Sequence, residues 1–312
     1  MARPREAPVP RIVYREEPCK SALNRVTGMA FAWSLNPYTG CAHRCAFCYV
    51  RAFERRADRP SDARYGTDIR VKINLVEVLR AELARRSWKR EPVAIGAATD
   101  PYQPAESRYR LTRRTIEALA EFRTPFHIIT RGPMILRDLD VLVAAAKRVD
   151  VHVNVSIPTL DPKVLKVMEP GVAPGTRRIA VVKALVEAGI DTGVGMAPIL
   201  PGLTDGRESM AAVVRAAREA GATGVWARGL YLQPGTREHF LAALESGWPE
   251  LAATYARLYR GRAYLPREVD EEIRATVKEL KRKEGVADRR AIRLAPDPVA
   301  EPAEPEQLGL GL

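Results

Sequence analysis

The 312-residue sequence lacks the features of a membrane or secreted protein. It has no run of about eighteen apolar residues, roughly the shortest length that crosses a bilayer as a helix. Its N-terminal segment is charged and proline-rich and has no apolar stretch of the kind that a secretion signal carries. We therefore expect a cytoplasmic protein without a membrane partner, and its 46% hydrophobic content supports a sizeable core.

Cysteine is scarce, and its arrangement is more informative than its number. The chain has four cysteines, and three of them lie in one loop, with three residues between Cys41 and Cys45 and two between Cys45 and Cys48. Three thiolates this close along the chain can converge on one metal centre. The spacing favours an iron–sulfur cluster.

The same spacing is also compatible with three other kinds of site. A structural zinc ion could be held by the three cysteines with His43 or the distant Cys19, although such ligands usually come as two separated pairs and the sequence lacks a second pair. Disulfide bonds would leave an odd thiol and would suit a secreted chain better. The cysteines could also be buried and inert.

The charge balance is basic. Fifty Lys and Arg residues against 38 Asp and Glu give a net charge of +12, with an isoelectric point near 9.8. A positive surface speeds encounter with a polyanion, so nucleic acid is a natural partner. Scattered arginines also occur on ordinary solvated helix faces, and an arginine-rich composition can reflect coding bias, so charge alone leaves the partner open.

Apolar strands alternate with amphipathic helices through most of the chain. The predicted strands are 31–35, 93–98, 126–130, 151–157, 191–199 and 224–228, and the predicted helices between them are about 73–86, 111–122, 134–148, 176–188 and 207–220. This alternation predicts parallel strands joined by right-handed crossovers, in a barrel or an open doubly wound sheet. In both, ligands bind at the carboxyl ends of the strands, where the cysteine loop, Ala98–Tyr102, Thr130–Gly132 and Ser156 fall.

The flanking regions differ in character from this alternating part. Residues 1–28 contain several prolines and are expected to form an extended or irregular arm. A partial barrel is expected over 29–232 and a helical extension over 233–285, where Ile273, Val277 and Leu280 would pack onto the barrel. Residues 286–312 lack apolar periodicity and are expected to be disordered.

Four stretches of the sequence carry a resemblance to a known family: Asn36–Tyr49 (NPYTGCAHRCAFCY), Thr99–Glu106 (TDPYQPAE), Met168–Pro170 (MEP) and Ala197–Asp205 (APILPGLTD). In these stretches the chain resembles the spore photoproduct lyase-like branch of the radical S-adenosylmethionine (SAM) superfamily. The chain also resembles the actinobacterial relatives of that branch. The resemblance covers about residues 20–245 and implies an incomplete (βα)6 barrel of the TIM type, open at one side for a bulky substrate.

The resemblance implies two cofactors. Cys41, Cys45 and Cys48 would each bind one iron of a [4Fe–4S] cluster, and the fourth iron would bind the amino and carboxylate groups of SAM. A one-electron donor such as flavodoxin or ferredoxin would reduce the cluster. Cleavage of SAM would then release methionine and a 5′-deoxyadenosyl radical that abstracts hydrogen from the substrate.

The resemblance also implies contacts with SAM. Phe47 is expected near the adenine, although it could simply pack in the core. Thr99 and Asp100 match the segment that binds the SAM amino group, although Thr-Asp-Pro is also good turn chemistry. Ser156 is expected near the ribose or methionine part, and a serine satisfied by backbone is the alternative.

Two arginines are expected to bind anionic groups. Arg178 matches a residue that pairs with the SAM carboxylate, where a planar guanidinium suits bidentate contact, and neighbouring Arg177 is an alternative. Arg131 stands where many relatives have lysine, and it is expected to bind the methionine carboxylate or a substrate phosphate.

The chain departs from the photoproduct lyases at two points. Those enzymes keep a cysteine in the second-strand loop that returns a hydrogen atom to the product radical, whereas this loop reads Gly96-Ala97-Ala98. They also carry tyrosines on both sides of the third cluster cysteine, where this chain has Phe47 and Tyr49. Cys19, in the N-terminal arm, is not expected to act as donor. We therefore do not expect repair of the thymine photoproduct itself.

The expected activity is that of a radical SAM enzyme, lyase-like or modifying, on nucleic acid or a nucleotide-containing molecule. Two alternatives are a radical SAM enzyme for a protein or small metabolite and a non-catalytic, zinc-stabilised nucleic-acid-binding α/β protein. The C-terminal Gln307-Leu308-Gly309-Leu310 resembles the peptide by which bacterial DNA enzymes bind the sliding clamp, although the glycines depart from the usual residues. An inert tail is the alternative there.

Overall fold

The computed structural model describes residues 11–29, 31–62 and 64–286. The strands are β1 (Val13–Glu17), β2 (Leu23–Arg25), β3 (Trp33–Leu35), β4 (Tyr38–Thr39), β5 (Asp68–Lys72), β6 (Val93–Ile95), β7 (Phe126–Thr130), β8 (Val151–Ser156), β9 (Asp191–Ile199) and β10 (Gly224–Gly229). The helices are α1 (Val50–Arg56), α2 (Leu75–Leu83), α3 (Ala105–Tyr109), α4 (Leu111–Glu121), α5 (Leu139–Ala146), α6 (Pro162–Met168), α7 (Gly175–Glu187), α8 (Arg207–Glu219), α9 (Arg237–Gly247), α10 (Ala252–Leu258) and α11 (Arg267–Lys283). Short 3-10 helices occupy Pro133–Asp138 and Pro249–Leu251.

The main sheet contains seven strands in the order β2-β3-β6-β7-β8-β9-β10. Strands β3, β6, β7, β8, β9 and β10 are parallel, and β2 is antiparallel to β3. The parallel strands follow one another in chain order with helices between them, so the predicted incomplete (βα)6 barrel is confirmed. Within the described part of the chain, β2 and β10 are the two edges of this sheet, and the barrel is open between them.

A second sheet, with the order β1-β5-β4, was not predicted. Part of the N-terminal arm belongs to it, because β1 pairs in parallel with β5, with Val13 opposite Asp68. The arm was expected to be extended or irregular because of its prolines, but β1 lies between Pro10 and Pro18 and avoids them both. The sequence pattern of the arm did not reveal its distant pairing partner.

The parallel strands present two different faces. In β8, Val151, Val153 and Val155 are buried on one face, as expected for packing against helices. Residues His152, Asn154 and Ser156 alternate with them and lie on the opposite face, which lines the interior of the barrel. The interior is therefore polar at the carboxyl end of the central strands.

The C-terminal helices cover the β10 side of the barrel. Ile273, Val277 and Leu280 of α11 are buried, and α11 packs against β10 and α8, so the predicted packing of this helix is confirmed. The backbone N–H of Gly229 donates to Asp270 Oδ1 at 3.0 Å, which joins the end of β10 to the start of α11. Helix α10 lies within the region 233–285, where a helical extension was expected.

Some predictions concern residues outside the described ranges. The clamp-binding resemblance at Gln307-Leu308, residues 1–10 of the arm and most of the expected disordered tail belong to this group. Val286, where that tail was expected to begin, is described and is buried.

None of the described helices combines the length and the apolarity that a membrane crossing requires.

Candidate metal and cofactor site

The cysteine loop lies between β4 and α1, beyond the carboxyl end of β3. Cys41 and Cys45 are each 7% exposed and Cys48 is half-buried, and all three are free thiols. Two successive turns coil the loop, because Arg44 N–H donates to the Cys41 carbonyl at 3.3 Å and Cys48 N–H donates to the Cys45 carbonyl at 3.2 Å. The turns bring the three cysteines into one compact stretch of backbone.

Two glycines press against this loop. Gly66 has a φ of +79°, and a Cβ added there would lie 2.3 Å from the Cys41 carbonyl oxygen. A Cβ added at Gly171 would lie 2.6 Å from the Ala42 carbonyl oxygen. Neither contact is possible for a larger residue unless the loop moves, so these glycines fix where the cysteines lie.

Arg51 holds the loop from the other side, and no sequence pattern identified it. Its side chain is almost completely buried, and its Nη1 donates to the carbonyl oxygens of Ser61 and Asp62 at 2.9 and 2.8 Å. Its guanidinium carbon lies 4.4 Å from the centroid of the Tyr65 ring. The hydroxyl of Tyr65 is 3.4 Å from Cys48 Sγ. Arg51 thus connects the segment 61–65, which follows α1, to the part of the loop that holds Cys48.

The segment after β6 supports the loop from the sheet. Gln103 is fully buried, accepts from the Ala42 backbone N–H at 2.9 Å and donates to the Gly40 carbonyl at 3.1 Å. Thr99 Oγ1 also donates to Gly40 O, at 2.7 Å. Glu106, also fully buried, accepts from Thr112 N–H at 3.0 Å and from the Tyr38 hydroxyl. The polar residues of TDPYQPAE therefore dock the cysteine loop onto the barrel.

Asp100 joins the second and third strand ends. It accepts from Thr130 Oγ1 and from the Arg131 backbone N–H, both at 2.7 Å, and its Oδ2 lies 3.2 Å from His43 Nδ1. Burial raises the pKa of the Asp100 carboxyl, but His43 and the other donors outweigh it and leave the pKa below the usual value. The Asp100 side chain is therefore an ionised structural anchor beside the loop.

Glu169 connects the two predicted cofactor arginines. Its carboxylate accepts from Arg131 Nε at 2.8 Å and from Arg178 Nη2 at 2.6 Å, and its side chain is 1% exposed. Burial raises the pKa of Glu169, but Arg178 and Arg131 together leave it below the usual value. Glu169 and Arg178 are buried and Arg131 is 21% exposed; two positive charges share one negative charge here, so the trio carries a net charge of about +1.

The two arginines also contact other predicted site residues. Arg178 Nη1 donates to the Ser156 carbonyl at 2.8 Å, and Arg131 lies over the Phe47 ring at 5.7 Å from its centroid. Arg177 is exposed, whereas Arg178 is fully buried, so Arg178 is the residue that faces the interior. Phe47, Arg131, Ser156 and Arg178 thus meet around Glu169, and Thr99 and Asp100 lie beside the loop.

The roles predicted for these residues in SAM binding stay predictions. Phe47 is 6% exposed and packs in the main core, which is the alternative that its aromatic side chain left open. The side-chain oxygens of Thr99 and Asp100 already have partners within the protein, so a contact with the SAM amino group would fall mainly to backbone groups.

Sequence reasoning also missed Glu169 and Asn154. Glu169 stood in the Met168–Pro170 turn that carried part of the resemblance, but no sequence signal indicated that two distant arginines converge on it. Asn154 has a signal, because the period of two in β8 places it on the same face as Ser156. Its Nδ2 is buried and has no hydrogen-bond partner among the described residues.

The residues of the loop fit an iron–sulfur cluster. They offer three soft thiol ligands that no disulfide consumes, and cationic Arg51 and Arg131 are close enough to offset the charge of thiolates. Within the described residues, no three His, Cys, Asp or Glu side chains are placed to hold one metal ion together. A single zinc ion needs all its ligands around one point, whereas in a [4Fe–4S] cluster each cysteine binds a different iron atom.

Comparison with known families identifies the fold. The model described as the radical SAM superfamily matches residues 35–214. This chain belongs to the radical SAM superfamily. An uncharacterized protein of Mycobacterium tuberculosis is 41% identical over 269 residues, which cover 85% of this chain and 79% of the relative. An uncharacterized protein of Methanocaldococcus jannaschii is 26% identical over 186 residues, which cover 60% of this chain and 67% of the relative.

Solved radical SAM structures share the architecture. A spore photoproduct lyase variant with bound AdoMet and dinucleoside spore photoproduct superposes with a TM-score of 0.65 at 15% identity, over 86% of this chain and 79% of the other. At this identity the likeness shows the fold alone. The radical SAM family implies a [4Fe–4S] cluster and SAM, and Cys41, Cys45 and Cys48 are the residues of this chain that match the cluster loop.

Proposed function

We propose that this protein holds a [4Fe–4S] cluster on Cys41, Cys45 and Cys48, cleaves SAM reductively, and abstracts hydrogen from a nucleic acid or a nucleotide-containing substrate. When bound and reduced by one electron from a donor such as flavodoxin or ferredoxin, the cluster would supply the electron for reductive cleavage of SAM into methionine and a 5′-deoxyadenosyl radical. The observation that carries the proposal is the buried cysteine loop at the carboxyl end of β3.

The Arg131–Glu169–Arg178 trio supports the binding of SAM. Its net positive charge is buried beside Ser156, so a carboxylate placed there would gain charge-assisted hydrogen bonds. The methionine carboxylate of SAM is such a group. Buried Arg178 also has an Nε without a hydrogen-bond partner among the described residues.

The barrel interior supports the binding of the nucleoside part of SAM. Asn154 Nδ2 is an unused donor on the same face as Ser156, and a ribose hydroxyl is a suitable acceptor for it. Phe47 gives the site an apolar wall beneath Arg131. Burial of these groups keeps bulk water from the radical, which would otherwise react elsewhere.

The nucleic-acid substrate class rests on two further observations. The first is the net charge of +12, since a positive surface speeds encounter with a polyanion. A solved structure with the same fold contains a dinucleoside spore photoproduct. The second-strand loop Gly96-Ala97-Ala98 has no thiol, so we do not propose that this chain repairs that photoproduct by the same route.

Transfer of deuterium tests the substrate class. The anaerobically reconstituted enzyme is incubated with dithionite, SAM and either fully deuterated nucleic acid or a deuterated, nucleic-acid-free cell extract. We expect mass-shifted 5′-deoxyadenosine with the nucleic acid only. A mass shift with the extract alone would favour a protein or metabolite substrate. A colourless protein with one zinc ion per chain would instead favour the non-catalytic alternative.

A further inference from the structure

Two exposed aromatic side chains lie on or beside the edge strand β10. The described residues include three large aromatic side chains that are more than 40% exposed: Phe53 at 41%, Trp226 at 44% and Tyr264 at 58%. Trp226 belongs to β10, and Tyr264 pairs with Tyr231, which follows β10 closely. Single exposed aromatics need no special cause, but two beside one sheet edge form a candidate contact surface.

Two contacts fix the orientation of the Trp226 indole ring. Its indole Nε1 donates to Asn154 Oδ1 at 2.7 Å across the barrel interior. A Cβ added at Gly195 would lie 2.9 Å from Trp226 Cζ2, so the ring fits over β9 because residue 195 has no side chain. The ring packs against β9, and Trp226 is 44% exposed, so part of the ring is accessible for stacking.

Cations accompany this plate along helix α11. A groove of about 200 Å³ lies between β10 and α11, and it is lined by Trp226, Arg274, Lys278 and Lys281. The three cations are spaced by four and three residues and therefore share one helix face. Arg274 is paired with Asp270 at 3.2 Å, but Lys278 and Lys281 have no ion-pair partner among the described residues. These two lysines remain available to phosphate.

Aromatic rings and a cation also lie close together beyond the carboxyl end of β10. Tyr231 and Tyr264 have ring centroids 4.4 Å apart, and Arg56 lies 4.8 Å from the centroid of the Phe53 ring. Helix α1 packs against the segment that follows Tyr231, because a Cβ added at Gly235 would lie 3.1 Å from Arg55 Cδ and Arg55 pairs with Glu238 at 3.2 Å. Helix α1, which carries Phe53 and Arg56, directly follows the cysteine loop.

We propose that the surface from Phe53 past Tyr264 and Trp226 to Lys281 is a binding track for single-stranded DNA. Exposed rings stack on unpaired bases of any sequence, and the interleaved cations contact successive phosphates. Stacking and phosphate contact need no ribose 2′-hydroxyl, so a DNA strand carries every group that this surface would bind. The proposal rests on the proposed function, since the track delivers strand to the site beside the cysteine loop.

Fluorescence anisotropy with a labelled oligothymidine of about twelve residues tests the track on the reconstituted enzyme. The wild-type protein is expected to bind the single strand more tightly than a duplex of the same length. Trp226→Ala and Tyr264→Ala should each weaken binding by about fivefold to a hundredfold, the effect of losing one stacked base. Trp226→Phe should retain most of the affinity, because it keeps a ring.

The lysines are tested by salt dependence. The double substitution Lys278→Ala and Lys281→Ala should make the slope of log affinity against log salt less steep by about 1.4, the value for two phosphate contacts on a single strand. Lys147→Ala is the matched control, because Lys147 is exposed at the end of α5, outside this groove, and should not change the slope. Thermal unfolding and iron content establish that each variant is folded.

Two results would separate the possible failures. If the wild-type protein binds the single strand and the aromatic and lysine variants bind it equally well, the track is wrong and the proposed function is unaffected. If the wild-type protein binds no DNA, or binds the RNA oligomer of the same sequence more tightly, the track is wrong as well. Deuterium transfer from nucleic acid then decides the proposed function separately.

Discussion

Two groups of basic side chains lie on this barrel, and they differ in burial and pairing. Arg178 is fully buried and Arg131 is 21% exposed at the carboxyl ends of the strands, and they share the carboxylate of Glu169. Lys278 is exposed and Lys281 is half-buried on α11 beside β10, with no ion pair among the described residues. A buried charge must have a partner to be tolerated, whereas an exposed charge needs none.

The difference separates two tasks. Paired and buried arginines are rigid, so they can position a small anion within a fixed geometry. Exposed lysines are mobile and strongly hydrated, so they attract a polyanion without fixing its register. Positive charge thus has two roles: paired arginines at the cofactor site would position a small anion, and unpaired lysines in the proposed DNA track would attract a polyanion.

The largest expected effect comes from the cysteine loop. Cys41→Ala, Cys45→Ala and Cys48→Ala should each abolish cluster absorbance and reduce 5′-deoxyadenosine to the background level, because each removes the ligand of one iron. Cys19→Ala is the matched control, since Cys19 lies outside the loop with its backbone N–H bonded to Asn74 Oδ1 at 2.7 Å. Absorbance spectra and product analysis measure both outcomes. Cleavage of SAM by all three loop variants would show that the ligand assignment is wrong.

Substitution of Glu169 tests how strongly the paired arginines Arg131 and Arg178 depend on their shared carboxylate. Glu169→Gln should lower the free energy of unfolding by about 3–5 kcal/mol, because it leaves the buried guanidinium of Arg178 and the partly buried one of Arg131 without a countercharge. Glu279→Gln is the control, since Glu279 pairs with Arg207 at 2.6 Å on the surface, where water screens the pair. Urea denaturation of both variants gives the two values. Equal losses in the two variants would contradict the distinction between buried and exposed charge.

Gln103 tests how the loop is attached to the barrel. Gln103→Leu should cost about 1–3 kcal/mol of unfolding free energy, because it leaves the buried N–H of Ala42 without an acceptor. Ser107→Ala, at an exposed position of the same segment, should stay within about 0.5 kcal/mol of wild type. The same denaturation experiment measures both. A neutral Gln103→Leu would mean that another group holds the loop.

The pH dependence of stability gives the smallest expected effect at neutral pH, because it develops only as the pH falls. Burial lowers the pKa of His127 to about 4, with a further contribution from the nearby His152. The folded state therefore resists protonation that the unfolded chain accepts near its ordinary pKa, and stability should fall as the pH drops from about 6.5 to about 4. His127→Gln should flatten this dependence by about 2–3 kcal/mol. Parallel denaturation curves for the two proteins across this range would contradict the assignment.

The sequence predicted the parts of the fold that depend on local pattern. The bounds of β7 and β9 agree with the predicted 126–130 and 191–199, because 126–130 is a short apolar run and both segments are bounded by turn residues. The cysteine loop was placed correctly beyond β3 because the apolar run 31–35 leads directly into it. The burial of Ile273, Val277 and Leu280 followed from helical periodicity.

The parts that were missed depend on contacts between distant segments. Strand β1 forms only because β5 pairs with it, and Glu169 matters only because Arg131 and Arg178 both reach it. Arg51 looked like any arginine after a cysteine motif, yet it is buried against the Tyr65 ring. No periodicity within one segment indicates such pairings, since they arise from the packed fold.

The central claim is that the three loop cysteines carry a cluster that cleaves SAM. The most direct test is to reconstitute the protein anaerobically with iron and sulfide, measure iron and zinc per chain, reduce it, and quantify 5′-deoxyadenosine formed from SAM. We predict about four iron atoms per chain, a cluster signal in EPR after reduction, and 5′-deoxyadenosine that requires reductant. One zinc ion per chain with no iron and no product would contradict the claim.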